Sequence, residues 1–481
     1  MVTSTPLKSS SDVFDWLGGF VNFERGQNLK NFCLDRMETL AKLSGHPEKS
    51  APSFHVAGSK GKGSVTGMIA AILEASGIRT AIYASPHVFD FRERLRTGCG
   101  FFEENVYVNA GNELKDLVSV LANSSYSELK GEEPSFFELM TLWFFLCARL
   151  ANCGAMSLET GMGGRLDATN IVNPLVSIIT LIELEHTEYL GTTIPAIAGE
   201  KAGIIKPGRP FVLSEQKPEA LEVFIDHSIR KKSRLIYFPE NAEIVNISVN
   251  REGTSFDYKE KNCAGGSCGI VKNLFLPMPG EVQAYNAGLA ILALRTAYPD
   301  IEEESIRKGL AGFSLPARFE KISDTPPLVI DGAHTKQSME LCVKTFTGLY
   351  GTGAILVFGC AAGKDLLSMA WICVPCFSRI IITTPGTFKV SRPREIYDFF
   401  SQEAENQEVS PDILFIPETE RAIDTAINLA LENELPVLGT GSFYLAGEIR
   451  KRILKIDSHG GTELTENTEN EATNYKLRTK N

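Results

Sequence analysis

The strongest constraint on this fold is one short stretch. An apolar segment, Phe54-His55-Val56-Ala57, runs directly into Gly58-Ser59-Lys60-Gly61-Lys62-Gly63-Ser64, and a second apolar run begins at Val65. The first segment reads as a buried strand and the last as a helix. Between them, three glycines, two lysines and two serines fill seven positions. Such a turn aims backbone N–H groups and the positive end of a helix dipole at one small volume, which suits a phosphate. Lys62 is placed to reach the outer phosphates, and Ser64 to offer a hydroxyl to Mg²⁺. The spacing is not a strict G-x-x-x-x-G-K-[ST], because Val56 stands where the first glycine belongs and Gly63 separates Lys62 from Ser64. A tight glycine turn without a ligand is the competing reading. The strand–turn–helix context favours a nucleotide.

The helix after the loop ends at Ser76-Gly77, and Thr80–Ala84 reads as a second strand. The resulting βαβ unit demands a parallel sheet, whose ligands collect at the carboxyl ends of the strands. At 481 residues the chain is too long for one ordinary core, so two domains are expected. A hydrophobic content of 43% with 22% charged residues supplies sizeable cores. The net charge of −11 argues against a general nucleic-acid or anionic-membrane binder. Met1–Ser11 is polar and no apolar run is long enough to span a bilayer, so a cytoplasmic protein with no membrane partner is expected. A monomer is a separate expectation. Ten cysteines follow no framework spacing. Cys373, Cys376, Cys263 and Cys268 could be imagined as a zinc site, but buried free thiols fit better.

Residues 12–44 carry helical periodicity, with Leu29 and Phe32 in the pattern. The segment Ser85-Pro86-His87 follows the second strand and leads into the basic patch Arg92-Glu93-Arg94-Leu95-Arg96. A helix with an aromatic stripe, mostly core, follows Pro134. Ala155–Leu158 is a strand that delivers Glu159 to the loop Glu159–Asn170, and Val176–Thr180 is a strand ending close to Glu185-His186. Ser64 or Ser85, with Glu159 and His186, thus stand at strand ends. Mg²⁺ accepts such an incomplete shell when a nucleotide supplies the rest. Taken singly, Glu159 reads as a salt-bridged carboxylate and His186 as a loop residue; their joint placement favours a metal. Lys201 sits among small and apolar residues in a helix, where its amine would lose a proton more easily. Composition alone leaves it a solvated helix-face lysine.

Residues 235–275 read as short strands around a glycine-rich turn at 263–269, and helices follow at about 281–297 and 301–311. Strands at Leu328–Ile330, Ala354–Gly359, Arg379–Thr383 and Pro436–Leu438 alternate with helices. The fold class expected is therefore α/β: a P-loop-type central-sheet domain over 1–315, then a smaller Rossmann-like domain over 316–456. Residues 457–481, with Gly, Thr, Glu and Asn dominant, read as a disordered tail.

The motifs together resemble one family, the bacterial dihydrofolate synthase/folylpolyglutamate synthase enzymes of the Mur ligase superfamily. Ten motifs in order carry the resemblance: Gly58–Ser64, Ser85-Pro86-His87 with Glu93-Arg94, Phe137-Glu138, Glu159–Asn170, His186–Gly191, Glu200–Ile204, Gln283 with Asn286-Ala287, Pro316-Ala317-Arg318, Asp331–His334 and Gly441-Ser442. The resemblance implies an ATP-dependent C–N ligase. ATP would phosphorylate a pterin-substrate carboxylate and the amine of L-glutamate would displace the phosphate. Mg²⁺ and cations must then neutralise charge around the transferred phosphoryl group.

Carried over, the resemblance implies that Gly58, Ser59, Lys60, Gly61, Lys62, Gly63 and Ser64 hold the ATP phosphates. Ser85, Glu159 and His186 would bind Mg²⁺, and Lys201 matches a lysine that the family carbamylates. Asn286 would meet the adenine, Asp331 the nucleoside and Arg318 the phosphates. His334 and Ser442 match positions linked to catalysis and glutamate binding. Phe137, Leu166, Asp167 and Ala168 would face the pterin. Lys60, Glu185, Val282, Ala317 and Thr335 depart from the family's commoner Asn, Asp, His, Gly and Asn. Two other readings compete: a Mur-type ligase for another acid and amino acid, and a nucleotide-binding module without ligation.

Overall fold

The structure is a computed structural model that describes residues 5–22, 33–261, 269–386 and 389–454. The helical pattern around Leu29 and Phe32, the turn at Cys263–Cys268 and the tail from Asp457 lie outside these residues. The chain divides into two compact units, Met1–Ser314 and Leu315–Asn481.

The first unit is built on seven strands: β1 (Ser53–Ala57), β2 (Thr80–Tyr83), β3 (Leu95–Thr97), β4 (Ala155–Glu159), β5 (Val176–Ile179), β6 (Phe211–Leu213) and β7 (Leu235–Tyr237). Their order is β3-β2-β4-β1-β5-β6-β7. All neighbours run parallel except the edge pair β2/β3. Every residue of β1 is buried, as a central strand covered on both faces requires. β1 therefore has β4 on one side and β5 on the other, which brings Glu159 and the segment after Ile179 to the flanks of the glycine loop.

Two helices explain the cover of this sheet. Lys62–Ala75 starts at the glycine loop and is apolar nearly all round because it is packed on several sides. Phe136–Leu150 is fixed at its start by a capping box: the Ser135 amide donates to Glu138 Oε2 at 2.8 Å, and the Glu138 amide to Ser135 Oγ at 3.3 Å. Arg36 Nε adds a contact to Glu138 Oε1 at 3.0 Å. From Phe136 to Ala148 only Phe137 is not buried, so the aromatic stripe is core with that one exception. The periodic stretch at 12–44 contains two described helices, Ser10–Leu17 and Asp35–Leu43.

A three-stranded antiparallel sheet, β8 (Ala242–Asn250), β9 (Gly253–Glu260) and β10 (Ile270–Leu276), completes the unit with the helices Glu281–Ala297 and Glu303–Ala311. The second unit holds β11 (Glu320–Asp324), β12 (Pro327–Ile330), β13 (Ala354–Phe358), β14 (Phe377–Ile382), β15 (Asp412–Phe415) and β16 (Val437–Thr440), in the order β11-β12-β16-β13-β14-β15. All are parallel except β11 against β12. The α/β class, with a P-loop-type sheet and a Rossmann-like second sheet, is as the sequence predicts. No helix of the described residues is long and apolar enough to cross a membrane.

Candidate active site

The glycine loop is held in place by contacts within the chain. Gly58 has φ +147, and a Cβ there would lie 1.8 Å from Thr180 Oγ1, so only glycine fits between β1 and β5. Ser59 acts as a bracket to the neighbouring segment. Its amide donates to Leu181 O at 2.9 Å, its hydroxyl to Glu183 O at 3.0 Å, and the Glu183 amide returns to Ser59 Oγ at 3.0 Å. The Lys60 amide also points to Leu181 O, at 3.4 Å. Gly61, at φ +85, is the N-cap of the Lys62–Ala75 helix, and a Cβ there would lie 2.5 Å from Asn286 Oδ1. Asn286, from the helix Glu281–Ala297, thus lies against the loop, with its Nδ2 donating to Gln283 Oε1 at 3.1 Å. The open helix amides begin beyond these anchors, at Lys62, Gly63 and Ser64.

Two lysine–carboxylate pairs flank the loop. Lys62 Nζ stands 3.9 Å from Glu159 Oε1 at the end of β4, with both side chains largely covered. Lys201 is only 1% exposed, and its Nζ donates to Gly58 O and to Glu185 Oε1, each at 2.7 Å. The solvated helix-face reading is thereby overturned, because the partner comes from a loop sixteen residues away. Burial pulls the Lys201 amine down to about 8, although Glu185 opposes the shift. Burial raises the Glu185 carboxyl, but Lys62 and Lys201 outweigh it and hold the group below its ordinary range. The sequence marks Glu185 only by its place beside His186 and gives no sign of its pairing with Lys201.

The loop from Glu159 to Asn170 is fastened from within. Asp167 Oδ2 accepts from the amides of Gly161 at 2.8 Å and Met162 at 3.0 Å, and Oδ1 accepts from the Thr169 amide at 3.0 Å and from the Thr169 hydroxyl. Asp167, expected to face a ligand, is buried and spends its carboxylate on the loop. Ala168 packs in the hydrophobic core, while Leu166 and Phe137 are half-buried. A Cβ on Gly161 would meet Phe137 Cζ at 2.4 Å, so the aromatic ring lies directly on this loop. Arg165 Nη2 pairs with Glu200 Oε1 at 2.9 Å, tying the loop to the helix that carries Lys201.

Glu159 ends β4, and Ser85 and His186 lie beyond the ends of β2 and β5, on the carboxyl edge of one sheet. Among the described residues no cluster of three or more His, Cys, Asp and Glu side chains is spaced to hold a metal unaided. One carboxylate with an imidazole and a hydroxyl still suits Mg²⁺, which takes most of its oxygens from substrate and water. After Ser85 the chain is folded by Glu93, whose carboxylate accepts from the amides of Val88 at 2.7 Å, Asp90 at 3.0 Å and Phe89 at 3.2 Å. Arg94 Nε donates to His87 Nδ1 at 2.8 Å, so this patch is ordered rather than a loose basic surface.

In the second unit the carboxyl ends of β12, β13 and β16 converge. Asp331 accepts from the amides of Phe319 and Ala333, each at 2.8 Å, and so binds the Pro316–Phe319 segment to its own loop. Burial raises its pKa, with the Arg318 guanidinium opposing. Arg318 lies over the Phe443 ring, 4.2 Å from its centroid. His334 Nδ1 is 2.8 Å from Gly332 O, which only accepts, so Nδ1 carries a proton and Nε2 is the basic nitrogen of the neutral ring. Ser442 Oγ donates to Gly359 O at 3.0 Å and accepts from the Leu445 amide at 3.1 Å, capping the last helix. These contacts bring Asp331, His334 and Ser442 to one edge of the second sheet.

A glycine loop on a parallel sheet, followed by a Rossmann-like unit, is the plan of a Mur-type ligase. Residues 115–294 match the Mur ligase middle domain family, and residues 317–443 match the Mur ligase glutamate ligase domain family. The dihydrofolate synthase/folylpolyglutamate synthase of Bacillus subtilis (strain 168) is 31% identical over 453 residues, covering 92% of this chain and 98% of that protein. Among solved structures, Mycobacterium tuberculosis folylpolyglutamate synthase complexed with ADP superposes with a TM-score of 0.81 at 25% identity, covering 92% and 99% of the two chains. An FPGS–AMPPCP–folate complex gives 0.76 at 27% identity, covering 93% and 100%. The chain belongs to the dihydrofolate synthase/folylpolyglutamate synthase family.

Proposed function

We propose that this ligase uses ATP to join L-glutamate to dihydropteroate, to the γ-carboxyl of folates, or to both, through an acyl phosphate. The observation that carries the reading is the glycine loop flanked by Lys62–Glu159 and Lys201–Glu185, in a chain whose relatives include structures with ADP and with AMPPCP and folate. In this reading residues 1–315 form the ATP-binding domain and 316–456 the glutamate-ligase domain.

The helix amides of Lys62, Gly63 and Ser64 and the Lys62 ammonium cradle the phosphates, with Gly58, Ser59, Lys60 and Gly61 shaping the turn. Glu159, His186 and Ser85 would hold Mg²⁺, which draws charge off the phosphates during transfer. A pterin-substrate carboxylate oxygen attacks the γ-phosphorus and ADP departs. The glutamate amine then attacks the acyl carbon, the C–O bond breaks and inorganic phosphate leaves. That amine must first lose a proton, and His334 Nε2 is a base of suitable kind. Asn286, Arg318 and Asp331 serve the nucleotide, Ser442 the glutamate, and Phe137 with Leu166 and the Asp167–Ala168 backbone the pterin. Lys201, buried at about 8, has a neutral fraction able to add CO₂ and release a proton, which supports its carbamylation. The working unit in this reading is a monomer.

ADP release from Mg-ATP is the test, with dihydropteroate or tetrahydrofolate supplied with and without L-glutamate. Release should depend on both the pterin and glutamate. Release indifferent to glutamate would overturn ligation, and activity with tetrahydrofolate alone would restrict the enzyme to polyglutamylation. Gly58→Ala should raise the KM for ATP about tenfold, because the added methyl collides with Thr180 and shifts the loop. An unchanged KM would show that the loop does not position the phosphates.

A further inference from the structure

One buried group near the site has no part in this scheme. His55 lies in the middle of β1, is wholly buried, and places Nε2 2.8 Å from Thr169 Oγ1. Burial raises the Asp167 carboxyl, but hydrogen bonds from Gly161, Met162 and Thr169 oppose that shift, and with four donors aimed at it the carboxylate accepts and Thr169 Oγ1 donates to Oδ1. The threonine hydroxyl has one hydrogen, so the proton on the contact to His55 must belong to the imidazole. His55 is therefore the Nε2–H tautomer. Its Nδ1 is buried and has no hydrogen-bond partner among the described residues, which is tolerable only for an uncharged ring. Burial pulls the imidazolium down to about 3, so the ring stays neutral across the physiological range.

The direction of this chain matters for Asp167. Its buried carboxylate depends on four donors, of which three are backbone amides and one is the Thr169 hydroxyl. A free threonine hydroxyl can rotate toward other acceptors. With the His55 N–H occupying a lone pair of Oγ1, its hydrogen is left pointing at Asp167. Asp167 then fixes the amides of Gly161 and Met162, and Gly161 lies directly on the Phe137 ring. We propose that His55 is a positioning residue which, through Thr169, orients Asp167 and so sets the pterin-side wall formed by the Gly161–Ala168 loop and Phe137. The inference rests on the pterin-ligase reading. It deepens that reading by separating a pterin-side support from the phosphate loop on the same strand.

Four variants test it by steady-state kinetics on the full chain. His55→Leu and Thr169→Val remove one link each, whereas His55→Gln retains an N–H at similar reach and Thr169→Ser retains the hydroxyl. Losing either link, the neutral one at His55 or the charge-assisted one at Thr169, should raise the KM for the pterin substrate about tenfold in the first two, with the KM for ATP within about twofold of wild type. His55→Gln and Thr169→Ser should stay near wild type. The double variant should be no worse than the worse single one, since both break one chain. Nitrogen-15 spectra should show His55 neutral and protonated on Nε2 in mildly acidic buffer. Parallel rises in both KM values, a multiplicative double variant, or a loss of thermal stability with both KM values unchanged would each overturn the relay. If His55→Leu fails to fold, the near-isosteric Thr169→Val decides alone. A wild type with no pterin-dependent ADP release would instead refute the pterin reading.

Discussion

Lys62→Ala is expected to slow ADP release by about a hundredfold to a thousandfold, the range seen when a preorganised group facing developing charge is removed. The reason lies in where the ammonium sits. It extends from the first turn of the helix that the glycine loop opens, is largely covered, and stands 3.9 Å from Glu159. Charge in such a covered place acts through little water, so its loss is not made up by solvent. Most of the loss should appear in kcat, since the phosphoryl group in flight needs the cation more than bound ATP does. A less than tenfold effect of Lys62→Ala on kcat/KM would remove Lys62 from phosphoryl transfer.

With Lys201 as the free amine, before any carbamylation, Lys201→Met should destabilise the protein by about 3 kcal/mol, because it leaves Glu185 without the partner it holds at 2.7 Å in a covered site. The pH dependence identifies the cause. Folding lowers the Lys201 pKa from 10.5 to about 8. Between those values the unfolded chain binds a proton that the folded chain has released, so stability rises with pH across that window. The contribution is about 1.4 kcal/mol per pH unit once the folded group has titrated. Below it both states are protonated and the slope vanishes. Urea unfolding at several pH values from neutral upward should therefore show wild type gaining on Lys201→Met through this window. A constant gap would mean that the amine does not titrate early.

How much of this was legible depended on the range of the interaction. β1, the glycine loop and the helix to Ala75 were readable because a wholly buried strand is a continuous apolar run and the loop's glycines are adjacent in sequence. The edge strands β3 and β11 were not: β3 has only three residues, and no residue of β11 is buried, so neither shows a continuous apolar run. Lys201 could not be read locally, since its burial depends on Glu185 and on Gly58 O, which is 143 residues away. Ser59 and Asp167 were assigned to ligands by resemblance, and the structure shows what else they do: each spends its side chain holding a loop. His55 gave no signal, because a single histidine in an apolar strand looks the same whether it supports a loop or merely fills the core.

The Ser59 bracket has a consequence for how the loop behaves in time. The Ser59 amide is already committed to Leu181 O, whereas the amides of Lys62, Gly63 and Ser64 open the helix with no carbonyl behind them. Deuterium uptake should therefore divide the loop at Gly61. Ser59 should exchange slowly with or without nucleotide, and the three amides beyond it should slow only when phosphate is bound. Contacts within the chain would then set one half of the loop, and the bound phosphate the other.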